Sequence, residues 1–249
     1  MNVSVIFSPH EIDRLPERDL TQTTCVVFDV LRATSTMLAA FDAGVTAIKP
    51  VAEISEALAE KAANPAVLLA GERNGIRIGG KLTGGVEFDF GNSPREMVDG
   101  KVRGQTLVST TTNGTRAIRS CAKAGQVAIA SFANLTATAN WIETLNLENL
   151  VLVCSGTGDD SCLEDTSGAG ALVHKLINCS ISVYMADSAI MALHVYRQVA
   201  DALCEKVGEA KNAKRLLGMP SLVEDVAWCL KADRFSIVPR LDTDGYLTC

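Results

Sequence analysis

The stretch TTCVVFDV, Thr23 to Val30, is almost continuously apolar up to the aspartate at position 29. Strict alternation would mark a strand with one wet face. An unbroken run of this length marks a strand covered on both faces, as in sheets layered between helices. The following ATST fits, because it opens a helix with Thr34 or Ser35 as N-cap and Gly44 as C-cap. Working outward, NVSVIF reads as an earlier strand. VTAIKPV is the next strand, EISEALAEKAA a helix, and AVLLAG a strand running into GERNG. TLVST, QVAIA and LVLVC are further strands, each with a helix after it. SGAGALVHKLI, SAIMALHVYRQVADALCEKV and SLVEDVAWCLKA then read as helices and RFSIVPRL as a closing strand. This alternation specifies an α/β fold, three layers α/β/α around a mostly parallel or mixed central sheet. Nothing in composition divides residues 1–249, so the reading is a single domain.

The chain of 249 residues is 47% hydrophobic with mean hydropathy +0.18, enough for a sizeable core. Its net charge of −6 argues against a nucleic-acid binder, which would carry a basic excess or patch. A small anionic partner needs only a few local arginines. No apolar run reaches the 18 residues of a membrane span. The N-terminal MNVSVIFSPHEIDRLPERD has no basic leader region and turns acidic. The eight cysteines form no CxxC, and Cys25, Cys154 and Cys229 lie in apolar runs, so reduced thiols and a cytoplasmic location are expected.

The polar clusters fall at strand ends. Asp29, Glu72, Ser109 to Thr112 and Cys154-Ser155 each close an apolar strand, and open α/β sheets bind ligands outside the carboxyl ends of their strands. In STTTNGTRAI, Ser109 to Ile118, an Asn-Gly pair suggests a turn with positive φ, followed by a helix starting near Thr115. Hydroxyls, free backbone N–H groups and Arg116 would then face an anion. The expected binding residues here are Thr110, Thr111, Thr112, Asn113, Gly114, Thr115 and Arg116. A capped turn would use fewer hydroxyls. DVLRATST repeats the arrangement. Asp29 would hold a metal while Arg32 holds a phosphate, or the two would form an ion pair. GERNG adds Glu72 and Arg73, and FDFGNSP adds Asn92 and Ser93 before a short helix. Glu164 and Asp165 precede an Ala/Gly-rich helix, either as an acidic pocket or as a solvated loop.

Common motifs do not fit. Gly75 to Leu82 has the spacing of a phosphate-binding GxxxxGK loop, but Leu82 replaces the required hydroxyl. There is no DxDx[TV] signature, no CX5R, no GxGxxG and no HExxH. His10, His174 and His194 are isolated.

FDVLRATST, GERNG, FDFGNSP, STTTNGTRA and the CSGTG to SCLEDTSGAGA stretch, in this order, resemble the 2-phosphosulfolactate phosphatase family. The likeness runs from about Cys25 to Ala171, and FSIVPRL is also similar. The resemblance implies a three-layer α/β/α fold, Mg²⁺ dependence, and hydrolysis of 2-phospho-3-sulfolactate to 3-sulfolactate and phosphate, a step toward coenzyme M. Asp159 to Cys162 depart from the family pattern. The expectation is a Mg²⁺-dependent phosphomonoesterase acting on a small anionic phosphorylated substrate. Asp29, Arg32 and Glu72 would be catalytic, Arg73, Asn92, Ser93 and the 110–116 run would bind substrate, and Asp29, Glu72, Glu164 and Asp165 would hold the metal. Neither nucleic acid nor membrane is an expected partner, and a homodimer is allowed. The alternative is a non-catalytic binder or sensor of a phosphorylated metabolite, which needs arginines and helix ends but no clustered acids.

Overall fold

The computed structural model describes residues 1–97, 100–179 and 181–249. In chain order it contains β1 (Asn2–Ile6), α1 (Pro9–Ile12), β2 (Thr23–Phe28), α2 (Ala33–Asp42), β3 (Ala47–Pro50), α3 (Ile54–Ala63), β4 (Leu68–Arg73) and β5 (Ile76–Arg77). Next come α4 (Gly80–Thr83), β6 (Thr106–Thr110), α5 (Gly114–Ser120), β7 (Gln126–Ala130), α6 (Leu135–Glu143), β8 (Asn149–Cys154) and α7 (Leu163–Leu176). The remainder is β9 (Tyr184–Met185), α8 (Asp187–Val199), α9 (Leu203–Gly208), α10 (Lys211–Leu217), α11 (Val223–Cys229), β10 (Arg240–Leu241) and β11 (Leu247–Thr248).

The sheet order is β5-β4-β6-β3-β11-β10-β7-β2-β8-β1-β9. Two parallel blocks are visible in it. β7, β2, β8, β1 and β9 form one, and β3, β6 and β4 form the other. The β10–β11 hairpin lies between them, antiparallel to both neighbours, with Arg240 opposite Ala128 on one side and Leu247 opposite Ile48 on the other. The sheet is therefore mixed and the protein is α/β.

The apolar run of β2 does what its pattern requires. Val26 and Phe28 point into a core shared with Ala139 and Ile142 of α6, Leu172 and Leu176 of α7, and Ala192 of α8. Cys25 and Val27 point the other way, into a core with Met37 and Ala40 of α2 and Ala117 and Ile118 of α5. Each face buries its own set, and at about 25 cal/mol per Å² of apolar surface such double coverage fixes the strand at the centre of the fold. The eight cysteines are free, and among the described residues no helix is long and apolar enough to cross a membrane.

Several elements differ from expectation. α7 starts at Leu163, four residues ahead of Ser167, so Glu164 and Asp165 lie in its first turn rather than before it. α2 starts at Ala33, with Arg32 as its N-cap, because the Thr34 and Ser35 hydroxyls donate back to the carbonyls of Asp29 and Val30. The expected long helix over 188–207 breaks after Val199 into a 3-10 turn, Ala200–Ala202, and α9. The Lys206 ammonium crosses that break to the Gln198 carbonyl and the Asp201 carboxylate. RFSIVPRL is an extended segment in which only Arg240–Leu241 joins a ladder. Its other backbone bonds are scattered: Phe235 N–H to Ala133 O, and Ile129 N–H to Pro239 O. Pro239 lacks the donor that a longer ladder would need.

Candidate active site

The carboxyl ends of β2, β4, β6 and β8 lead into one pocket of about 310 Å³, closed on its far side by α10. Asp29, Arg32, Glu72, Asn92, Thr112 and Asn113 line it, together with Asn74, Gly75, Gly156 to Gly158, Lys211, Asn212 and Arg215.

Four acids lie in or behind this pocket, all buried. Asp29 follows β2, and its Oδ1 accepts the Ala33 N–H at 3.0 Å. Glu72, on β4, is fully engaged: Oε1 accepts from the Thr112 N–H and hydroxyl, both at 2.9 Å, and Oε2 from the Gly75 N–H at 2.6 Å. Asp165 is also committed, with Oδ1 on the Val30 N–H at 2.7 Å and Oδ2 on the Gly156 N–H at 3.1 Å. It ties the β2 and β8 loops together. Glu164 differs. Its Oε1 accepts from Asn212 at 3.1 Å, whereas Oε2 is buried and makes no close hydrogen bond among the described residues; the Cys162 thiol and the Glu164 N–H act on the same carboxyl. A buried carboxylate oxygen without a donor is costly, and a cation at that oxygen would offset the cost.

Electrostatics agree. Burial pushes the Asp29 carboxyl up to about 7, and repulsion from Glu72 and Glu164 adds to the shift, against the Ala33 N–H and Arg32. Burial also raises Glu164. Asp165 is raised by burial and by Asp29 and Glu164. Without a cation these carboxylates resist full ionisation. Among the described residues no three His, Cys, Asp or Glu side chains converge as a cation cage.

Arg32 lies on the pocket wall, but its charge is spent. Its guanidinium donates to Asp225 Oδ2 at 2.7 Å and to Gly75 O at 2.9 Å, and both members of the ion pair are buried. Ser93 donates to the other oxygen of Asp225 at 2.8 Å, so it positions that acid. Glu72 and Arg32 thus both grip the Asn74-Gly75 turn. Asn74 (φ 55) and Gly75 (φ 79) are the left-handed central pair of the β4–β5 hairpin. This is the geometry of a type I′ turn, for which Asn-Gly is the preferred pair.

The threonine run divides. Thr111 and Thr115 cap each other: the Thr111 N–H donates to Thr115 Oγ1 and the Thr115 N–H to Thr111 Oγ1. The Thr110 hydroxyl donates to Ala52 O and accepts from Arg73. Only Thr112 and Asn113 reach the pocket wall. The Asn113 amide donates across to Ser155 O and Gly158 O at 3.0 and 2.9 Å, joining the β6 loop to the β8 loop. Gly114 begins α5 and does not have positive φ. Glycine is needed there for proximity, since a Cβ would stand 2.5 Å from Asp29 Oδ2 and 2.7 Å from Ala33 Cβ. Two expected anion binders lie elsewhere. Arg116 pairs with Asp13 at the surface. Arg73 spends its guanidinium on Glu72 O, Ala52 O and Thr110.

Sequence reasoning missed Lys211, Asn212 and Arg215 on α10, Asp225 on α11, and Thr157. Thr157 lines the pocket with a buried hydroxyl that has no hydrogen-bond partner among the described residues. Its position in a Gly-Thr-Gly turn after β8 was the available signal.

An α/β fold whose strand-end pocket opposes buried carboxylates to lysine and arginine defines an enzyme site for a small anionic substrate. The 2-phosphosulpholactate phosphatase family matches residues 9–244. A probable 2-phosphosulfolactate phosphatase of Caldanaerobacter subterraneus subsp. tengcongensis is 36% identical over 228 residues, 90% of each chain. One from a Synechococcus species is 36% identical over 97% of this chain and 98% of its own. One from Thermotoga petrophila is 38% identical over 88% of each. The chain belongs to the 2-phosphosulfolactate phosphatase family and is a phosphoric monoester hydrolase. The reading as a non-catalytic binder gives way accordingly.

Proposed function

We propose that the protein hydrolyses 2-phospho-3-sulfolactate, or a similar small phosphorylated hydroxy acid, to 3-sulfolactate and phosphate, with Mg²⁺ held by Asp29 and Glu164. The observation that carries the metal is the unpartnered Glu164 Oε2 in a carboxylate cluster that must admit a phosphate. The names of the relatives support the substrate. Among the described residues Asp29 Oδ2 likewise has no donor, so these two oxygens are the ones free for a cation. Mg²⁺ held there by Asp29 and Glu164 would neutralise phosphate charge and relieve the repulsion among the acids. Thr112, Asn113 and the Thr157 hydroxyl border the space for the phosphate. Glu72 and Asp165 hold the loops that place them, while Asp225 fixes Arg32 beside Asp29.

Phosphate release from synthetic 2-phospho-3-sulfolactate and 2-phospholactate, with Mg²⁺ and with EDTA, tests this reading. Release is expected only with the divalent ion, and Glu164→Gln should abolish the Mg²⁺ response. The same substitution should raise the thermal stability of the metal-free protein, because it removes a buried charge. Absence of release from both substrates in the presence of Mg²⁺ overturns the proposal.

A further inference from the structure

Three cationic side chains line the pocket, and two are already neutralised. Arg32 is paired with buried Asp225, and Lys211 with Asp160 at 3.0 Å. Arg215 pairs with no carboxylate among the described residues. Its guanidinium donates to the Asn212 side-chain carbonyl at 2.7 Å and rests against the hairpin turn, 3.7 Å from where a Gly75 Cβ would stand. Asn212 is buried, and its amide donates to Leu31 O at 2.7 Å and to Glu164 Oε1 at 3.1 Å. One side chain therefore links an uncommitted cation to the acid whose second oxygen is free. Asn212 also fixes the separation between the two.

We infer that Arg215 is a specificity-determining residue that binds the second strong anion of the substrate, the sulfonate carried one carbon from the phosphorylated centre. This rests on the proposed reading of the pocket as the phosphomonoester site. The phosphate would be drawn to the Asp29 and Glu164 carboxyls once a cation held by them screened their charge. The wall formed by α10 carries Arg215, which pairs directly with no carboxylate among the described residues and acts on Glu164 only through its field. A planar guanidinium offers a fork of donors to two sulfonate oxygens, and the Asn212 carbonyl holds it in place.

The test compares 2-phospho-3-sulfolactate with 2-phospholactate, which keeps the phosphate and carboxylate but has methyl in place of the sulfonomethyl group. The wild type should favour the sulfonate substrate in kcat/KM by roughly ten- to a hundredfold, the worth of a hydrogen-bonded charge pair. Arg215→Gln should reduce that ratio to about two or less, mainly through KM, and Arg215→Lys should retain part of it. Circular-dichroism melts of both variants exclude misfolding. A wild type that does not discriminate, or an Arg215→Gln variant that keeps the ratio, overturns the inference while leaving the phosphatase reading intact. Should neither substrate be hydrolysed, that reading falls, and calorimetry still decides this one. 3-Sulfolactate should bind the wild type and lose at least tenfold in Arg215→Gln, and equal binding refutes it.

Discussion

Replacing Gly114 with alanine puts the packing of the site to a direct test. Gly114 is the first residue of α5, and its backbone stands so close to the β2 end that an added Cβ would lie 2.5 Å from Asp29 Oδ2 and 2.7 Å from Ala33 Cβ. Restoring ordinary contact at about 3.4 Å demands a displacement of about 0.9 Å, shared between Asp29 and the α5 terminus. Overpacking of this kind costs about 1–3 kcal/mol, and the helix propensity of alanine returns up to about 1 kcal/mol. The net loss of up to about 3 kcal/mol should lower Tm by no more than roughly 12 °C in a chain of this length. The effect on catalysis is larger, because misplacing a reacting group by about 1 Å costs on the order of a hundredfold. Steady-state phosphate release, with melting curves alongside, separates the two. Gly208→Ala is the control: its Cβ would meet only Leu217 Cδ1, at 3.9 Å, so Tm should rise slightly with kcat/KM unaltered. If Gly114→Ala keeps kcat/KM within about threefold of wild type, the close approach of α5 does not set the position of Asp29.

Asp225→Asn leaves Arg32 buried without its counter-ion and should cost about 3–5 kcal/mol in urea unfolding; an unchanged midpoint would show the pair to be dispensable. Arg116→Ala breaks a surface pair with Asp13, so stability should move by no more than about 1 kcal/mol and kcat/KM by less than about twofold, whereas a tenfold fall would return Arg116 to the site. The Asp29 carboxyl is raised from 3.8 to about 7, so between those values the folded protein holds a proton that the unfolded chain releases. The metal-free protein should therefore lose stability as pH rises from about 4 to 7 and level off above. Mg²⁺ competes with that proton, so its apparent affinity should climb over the same interval. Unfolding at pH 5, 6, 7 and 8 with and without Mg²⁺ measures both slopes, and a metal-free stability that rises across this range contradicts the assignment.

What could be read in advance followed physical rules that act locally. The TTCVVFDV run belongs to two cores because successive strand side chains point to opposite faces, and the four strand-end clusters meet because parallel strands end together. Asn-Gly occurs twice with opposite outcomes. At Asn74-Gly75 it makes the hairpin turn that short-range rules prescribe. At Asn113-Gly114 it opens a helix whose glycine answers to Asp29, a neighbour 85 positions away in sequence. The hydroxyl richness of the threonine run is largely internal capping. Asn212, Arg215 and Asp225 were illegible for a different reason. They sit on short amphipathic helices whose polar faces look solvated until the tertiary fold turns them toward the strand ends. RFSIVPRL alternates like a strand, but its partners lie in irregular segments that local sequence does not specify.

The β10–β11 hairpin has a further meaning for the chemistry. Asp29, Glu164 and Thr157 ride on the block built around β2 and β8, while Glu72, Thr112 and Asn113 ride on the block built around β4 and β6. Between the two the ladder narrows to one paired residue on each flank of the hairpin, Arg240 with Ala128 and Leu247 with Ile48. Side-chain bonds such as that from Asn113 to Ser155 do the rest at the pocket itself. The spacing between the two halves of the site is thus gauged by a shim of two short strands. A change of side-chain volume at buried Leu247, which is not among the residues lining the pocket, would alter the gap across which the two sets of functional groups must cooperate.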